Sequence, residues 1–277
     1  MRQGITSEMD KLTLKSKADW VRRETIRLHG LAPQTRLASS LSCVEILTVL
    51  YYGGVMSFDP KNLKWSERDR FIVSKGHGSI SLYPILADLG FFPKEELEKI
   101  CQTGSFLGSI PDPTVPGYET INGSLGLGPG VACGMATALK KAGGRQNVIV
   151  MSGDGELYEG SVWEAIMYAG HNKLDNITLV VDDNKACMLD YCRNIIDLQP
   201  LAEKFSVFGW ATETVDGHDV LALRQTLLTA TQSRQGRPKA IIANTIKGKG
   251  VPRLENDPLS HIKVLSKDEV VSLLDEE

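Results

Sequence analysis

Asp154 stands between two glycines at the end of an apolar run that starts at Val148, and Asn184 closes a second such run 30 positions later, after Thr178 to Val181. A carboxylate and a side-chain amide are hard oxygen ligands of the kind Mg²⁺ takes. Ala186, two residues past Asn184, is placed to add a backbone carbonyl, and diphosphate oxygens with water would complete an octahedron. Gly153 and Gly155 let backbone approach a phosphate closely, and a helix after them offers free N–H groups and the positive end of its dipole. Gly, Asp and Asn are also ordinary turn residues at strand ends, so the metal reading depends on what brings the two ends together.

A parallel sheet would do so. Asn147 to Met151 and Ile177 to Asp182 read as buried strands, with a helical pattern from Gly160 to His171 between them, and this βαβ rhythm predicts parallel pairing. Ligands of open α/β sheets bind outside the carboxyl ends of the strands, where Asp154 and Asn184 fall. Arg70 to Ser74 reads as another strand, leading into Lys75-Gly76-His77-Gly78 and a helical pattern to Leu89, which puts His77 at a strand end as well. Apolar spacing predicts helices over Glu8 to His29 and Cys43 to Tyr52, forming an N-terminal helical layer over about residues 8–53. Further along come a helix from Gly130 to Lys141, a strand Trp210 to Val215, a helix Asp219 to Ser233, a strand Lys239 to Thr245 and a short terminal helix. Gly104 to Gly123, with prolines at 111, 113 and 116, should be an irregular, ordered loop. The expected fold is α/β, a mostly parallel sheet flanked by helices on both faces, with residues 1–277 as a single domain.

Composition narrows the partners. The formal charge is −3, from 31 basic and 34 acidic residues with no basic block, which argues against nucleic acid. No apolar stretch approaches the roughly 20 residues that span a bilayer, and Met1-Arg2-Gln3 opens a charged stretch rather than a secretory signal. Five cysteines (43, 101, 133, 187, 192) without CxxC spacing suit reduced thiols in the cytoplasm better than a disulfide framework or a zinc site. A dinucleotide-binding reading fails because neither Gly126-Gly128-Gly130 nor Gly153-Asp154-Gly155 has GxGxxG spacing, and a Walker loop is absent.

Gly-Asp-Gly followed about thirty residues later by Asn resembles the thiamine-diphosphate motif. Ser74-Lys75-Gly76-His77-Gly78-Ser79, Gly123-Ser124-Leu125-Gly126, Asp216-Gly217-His218-Asp219 and Arg68-Asp69-Arg70-Phe71 resemble, in order and spacing, the cofactor-binding half of transketolases, a match covering most of residues 15 to 265. It is strongest to the N-terminal chain of two-chain members, whose tail also reads like Lys247-Gly248-Lys249-Gly250-Val251 and Glu255-Asn256-Asp257-Pro258. The resemblance implies thiamine diphosphate and Mg²⁺ as cofactors, and transfer of a two-carbon ketol unit from a ketose to an aldehyde. It implies His77 and His261 near the diphosphate and the reacting oxygens, with His261 an acid/base or hydrogen-bond donor. Gly123, Ser124 and Leu125 would lie against the cofactor, Gly155 and Glu156 beneath its diphosphate, and Glu159 at an interface between chains. His218, by contrast, reads as part of a turn and helix N-cap.

The pattern breaks on the substrate side. Where relatives carry Gly-His-Pro-Gly or Gly-His-Ile-Gly, this chain has Thr35-Arg36-Leu37-Ala38, so a substrate-facing histidine has become Arg36. Gly108-Ser109-Ile110-Pro111 replaces Gly-His-Pro, Leu127 stands where glutamine is common, and Asn244 where lysine is common. Arginine is a permanently charged fork suited to carboxylate or phosphate and cannot shuttle protons, which points to an unusual, carboxylated donor or acceptor; a surface or interface ion pair is the plainer alternative.

The resemblance places the glutamate that activates the cofactor in a pyrimidine-binding domain that would follow residue 277. It therefore implies a second chain bearing that domain and the C-terminal domain, in an α2β2 assembly. The competing readings are decarboxylation of a 2-oxo acid, as in 1-deoxyxylulose-5-phosphate synthase, and a catalytically degenerate partner chain.

Overall fold

The computed structural model describes residues 8–121, 123–255 and 257–275; Asn256 of the tail motif lies outside them. Five strands, β1 (Arg70–Val73), β2 (Val148–Gly153), β3 (Ile177–Asp183), β4 (Ala211–Asp216) and β5 (Lys239–Asn244), form one sheet in the order β1-β2-β3-β5-β4. Every pairing is parallel, and β2 and β3 register Gly153 opposite Asp182.

Alternate strand residues enter two separate apolar cores, which is why these runs are apolar at nearly every position. Ile149 and Met151 of β2 pack on one face with Val180 and Ile241; Val148 and Val150 pack on the other with Leu179 and Ile242. The first face is covered by α1 (Glu8–Leu31), α2 (Leu37–Leu41), α3 (Val44–Tyr52), α4 (Leu82–Leu89) and α9 (Val220–Gln232). The second is covered by α5 (Leu127–Lys141), α6 (Gly160–His171) and α8 (Leu201–Val207). Short helices α7 (Cys192–Ile195) and α10 (Pro252–Glu255) lie in loops, and α11 (Lys267–Asp275) packs on α1. The fold class is as expected: a parallel sheet with helices on both faces.

The segment between residues 104 and 121 has neither helix nor strand, yet it is anchored: Leu107, Val115 and Tyr118 are buried, Tyr83 Oη donates to the Gly108 carbonyl at 2.7 Å, and Arg68 pairs with Glu119. Helix α5 begins at Leu127, three residues before the expected start, because Gly126 turns the chain with φ +82°. A Cβ there would lie 2.6 Å from Glu159 Cβ and Ser161 Oγ, so the turn depends on glycine twice over. Helices α2 and α8 carry no periodic signature in the sequence; each is too short to display one, and α8 buries only Leu201 and Phe205. Among the described residues no helix is long and apolar enough to cross a membrane.

Candidate functional site

The carboxyl ends of β1, β2, β3 and β5 converge on a cavity of about 370 Å³. It is lined by His77 after β1, by Gly153, Asp154, Gly155 and Glu156 after β2, by Asn184 and Ala186 after β3, and by Lys247 after β5. Leu125 and His261 close it from the loop before α5 and from the 3-10 turn Ser260–Ile262. Most residues picked out from the sequence are thereby brought together. Gly123 and Ser124 are exposed and do not line the cavity, and Arg36 sits half-buried as the cap of α2.

Asp154 and the Asn184 loop are tied directly. Asp154 Oδ2 accepts from Lys185 N at 2.6 Å and Oδ1 from Gly155 N at 2.8 Å. Asn184 Oδ1 accepts from Ala186 N at 3.2 Å, which folds the loop back so that Asn184 and Ala186 face one space. Burial, with Asp183 and Asp182 adding negative potential, pushes the Asp154 carboxyl up to about 7. A divalent cation would relieve that repulsion. The donor set is a carboxylate, an amide oxygen and a backbone carbonyl, all hard oxygens, and it fits Mg²⁺. Among the described residues no group of three or more His, Cys, Asp or Glu offers an alternative metal cluster.

Two lysines whose roles the sequence leaves unassigned also line this cavity. Lys247 Nζ donates to the carbonyls of Ala186 at 2.8 Å and Cys187 at 2.9 Å, so an ammonium already supports the loop that carries the candidate metal ligands. Its burial lowers it to about 8. Lys247, from the stretch that resembles the family's tail, is buried here, while Asn244, which stands where lysine is common, is exposed at the end of β5. Lys75 is buried against Asp182, with its ammonium also donating to the Ser39 carbonyl at 2.8 Å.

Glu156 acts as a clamp. Its carboxylate accepts from Gly126 N at 2.9 Å, from Gly153 N at 3.3 Å and from Ser74 Oγ, joining the loop before α5 to the ends of β1 and β2. Burial raises its pKa, and these three donors oppose that. Glu159 is exposed and leans on Gly126.

The rings of His77 and His261 are 4.9 Å apart between centroids, and Ser39 Oγ lies 3.3 Å from His261 Nδ1. Burial, then Lys247, Arg36 and Lys75, lowers His261 to about 3, and burial followed by Lys75 holds His77 well below its usual value. Both are neutral at physiological pH and able to donate or accept a hydrogen bond. His218 behaves as the sequence suggested: Asp219 caps α9 by accepting from Leu221 N and Ala222 N, and His218 bridges Glu45 Oε2 (3.0 Å) and Ile246 N (2.9 Å).

A family model described as transketolase, thiamine diphosphate binding domain, matches residues 35–276. An apulose-4-phosphate transketolase subunit from Actinobacillus succinogenes is 39% identical over 269 residues, covering 96% of each chain. The 6-deoxy-6-sulfo-D-fructose transketolase subunit SqwG of Clostridium sp. (strain MSTE9) is 37% identical, covering 93% of this chain and 94% of that one. The crystal structure of transketolase from Campylobacter jejuni superposes with a TM-score of 0.87 at 30% identity, over 96% of this chain but 42% of that one. The Asp154–Asn184 constellation and these matches agree: the chain belongs to the transketolase family, through its thiamine diphosphate binding domain.

Proposed function

We propose that this chain is the diphosphate-binding subunit of a transketolase that moves a two-carbon ketol unit from a ketose to an aldehyde, and that residues 8–275 act as one cofactor-holding domain. The observation that carries the reading is the meeting of Asp154, Asn184 and Ala186 at adjacent strand ends, in one cavity with His77 and His261. Asp154, Asn184 and Ala186 would hold Mg²⁺; Gly153, Gly155, Glu156, His77 and the Gly123–Leu125 loop would seat the diphosphate end of the cofactor. When bound, thiamine diphosphate supplies the electron sink that lets a carbon–carbon bond break and re-form.

The protein's share is binding, orientation and proton placement. Lys247 supports the metal loop through the carbonyls of Ala186 and Cys187. Neutral His261, steadied through Nδ1 by Ser39, offers its other ring nitrogen to a substrate oxygen as donor or acceptor.

A second chain completes the site in this reading. Met188, Leu189 and Ile195 line the cavity and are 55%, 66% and 44% exposed, an apolar lip that suits a protein cover better than water. Leu127 and Val131 of α5 and Met167 and Tyr168 of α6 expose a second apolar strip. Both relatives are named as subunits, and this chain spans only 42% of the solved transketolase. On the subunit naming of these relatives we assign the pyrimidine-binding and C-terminal domains to a partner, in an α2β2 assembly in the cytoplasm, where five free thiols are stable. Reconstitution tests this: the two chains with Mg²⁺ and thiamine diphosphate should transfer ketol units from a ketose. Robust transfer by this chain alone, or release of CO₂ from pyruvate in place of transfer, counts against it.

A further inference from the structure

Just outside the cavity lining, at the start of α2, lies a charge that holding a cofactor does not use. Arg36 caps α2 three residues before Ser39, whose Oγ meets His261, and its half-buried side chain makes no capping hydrogen bond. Among the described residues its guanidinium has no carboxylate within ion-pair distance, whereas the neighbouring cations are engaged. Lys75 is paired with Asp182, Lys263 with Asp257, and Lys247 donates to two carbonyls. Its reach to His261 shows in the electrostatics: Arg36 is among the cations that depress that ring. With both histidines neutral, Arg36 is, among the described residues, a cation without a carboxylate partner at the start of α2, the helix that supplies Ser39 to the cavity beside His77 and His261. A partly desolvated guanidinium without a counter-ion is unfavourable, and an incoming anion offsets that cost.

We propose that Arg36 is an anion subsite beside His261 that selects a substrate whose carboxylate lies one or two carbons from the reacting carbonyl. The proposal rests on the ketol-transfer reading, which sets His261 at the reacting oxygens. The planar guanidinium fork matches a carboxylate through two parallel hydrogen bonds. A phosphate ester at the far end of a sugar chain stands several carbons from the carbonyl, away from a group adjacent to His261. Because arginine stays charged at all physiological pH values, its contribution is binding and orientation, and proton handling stays with His261.

The test uses the reconstituted two-chain enzyme with Mg²⁺, thiamine diphosphate and D-xylulose as a neutral donor, which releases glyceraldehyde, so that transfer to each acceptor below gives a product distinct from the donor. Three acceptors are compared: glyoxylate, with a carboxylate beside the aldehyde; glyceraldehyde 3-phosphate, with a distant phosphate; and neutral glycolaldehyde. In Arg36→Ala, kcat/KM for glyoxylate should fall roughly 10- to 100-fold further than for glycolaldehyde, the range of one charge-assisted pair. Arg36→Lys should recover part of that selectivity. Because each ratio is taken within one variant, partial misfolding cancels. Equal losses on all three acceptors, a selective loss on the phosphate acceptor, or a wild type that uses glycolaldehyde but not glyoxylate each overturn the proposal. A wild type inert with every acceptor instead defeats the ketol-transfer reading itself.

Discussion

Replacing Lys75 by Met should destabilise the chain by leaving Asp182 as a buried charge without its counter-ion. Lys75 and Asp182 are 1% and 0% exposed, and the ammonium sits on Asp182 Oδ2. Burial alone would raise the Asp182 pKa, but Lys75, Ser42 and Thr245 bring it below the usual carboxylate value. Removing one partner of such a pair costs about 3–5 kcal/mol. Ser42 Oγ at 2.6 Å, Thr245 Oγ1 and Asn184 Nδ2 at 3.2 Å still donate to the carboxylate, which places the cost near the lower end. For a chain of this size, about 3 kcal/mol corresponds to a fall in Tm of roughly 6–12 °C. Adding Asp182→Asn to Lys75→Met removes the orphaned charge and should recover most of the loss. Urea unfolding at pH 7, with the slope m held as a check on the unfolded state, gives the three stabilities. The reasoning fails if Lys75→Met is as stable as wild type, or if the double variant is no better than the single one.

Other consequences can be checked with equal directness. His29 is fully buried, with Nδ1 2.9 Å from Thr35 Oγ1 and Nε2 accepting from Leu265 N, and burial lowers it to about 4. The unfolded chain, with the ordinary value near 6.5, binds this proton first, so stability is complete above about pH 6.5 and is lost as pH falls toward 4, by up to roughly 3 kcal/mol. His29→Gln should flatten that slope by about one proton in urea titrations between pH 4.5 and 7, and an unchanged slope contradicts the assignment. His218 joins Glu45 to the backbone of Ile246, and Arg22 joins Glu45 to the carbonyl of Lys249 at 2.5 Å, so together they grip the loop on both sides of Lys247. His218→Ala should weaken Mg²⁺-dependent cofactor binding by roughly 10-fold, as changes to groups that orient a metal site do. Calorimetric titration showing equal affinity would remove His218 from that role.

How much of the fold and site is readable in the amino-acid order depends on range. The strands carrying Asp154 and Asn184 declare themselves because a parallel sheet buried on both faces demands near-continuous Val, Ile and Leu, and Gly-flanked polar residues mark where such runs stop. The first turn of α5 is hidden because Gly126, at φ +82°, looks from sequence like part of a glycine-rich loop. Contacts across the chain are not legible. Lys75 and Asp182 are 107 positions apart, and neither residue type alone says that it will be buried. Glu156 is expected under the diphosphate, but its three hydrogen bonds to Ser74, Gly126 and Gly153 emerge only when three loops meet. Lys247 belongs to the Lys-Gly-Lys-Gly-Val stretch, yet sequence alone does not show where β5 ends and the chain turns back into the cavity, so its burial in the site is not legible.

The central claim is that Asp154 and Asn184 together clamp a divalent ion to a diphosphate. Isothermal titration of thiamine diphosphate into the reconstituted pair of chains, with and without Mg²⁺, tests it most directly when wild type is set beside Asp154→Ala and Asn184→Ala. Uptake by wild type should require Mg²⁺, and each variant should lose at least about 100-fold in affinity, the upper range for disturbing a metal site. Metal-independent uptake, or variants that bind as tightly as wild type, would contradict the account.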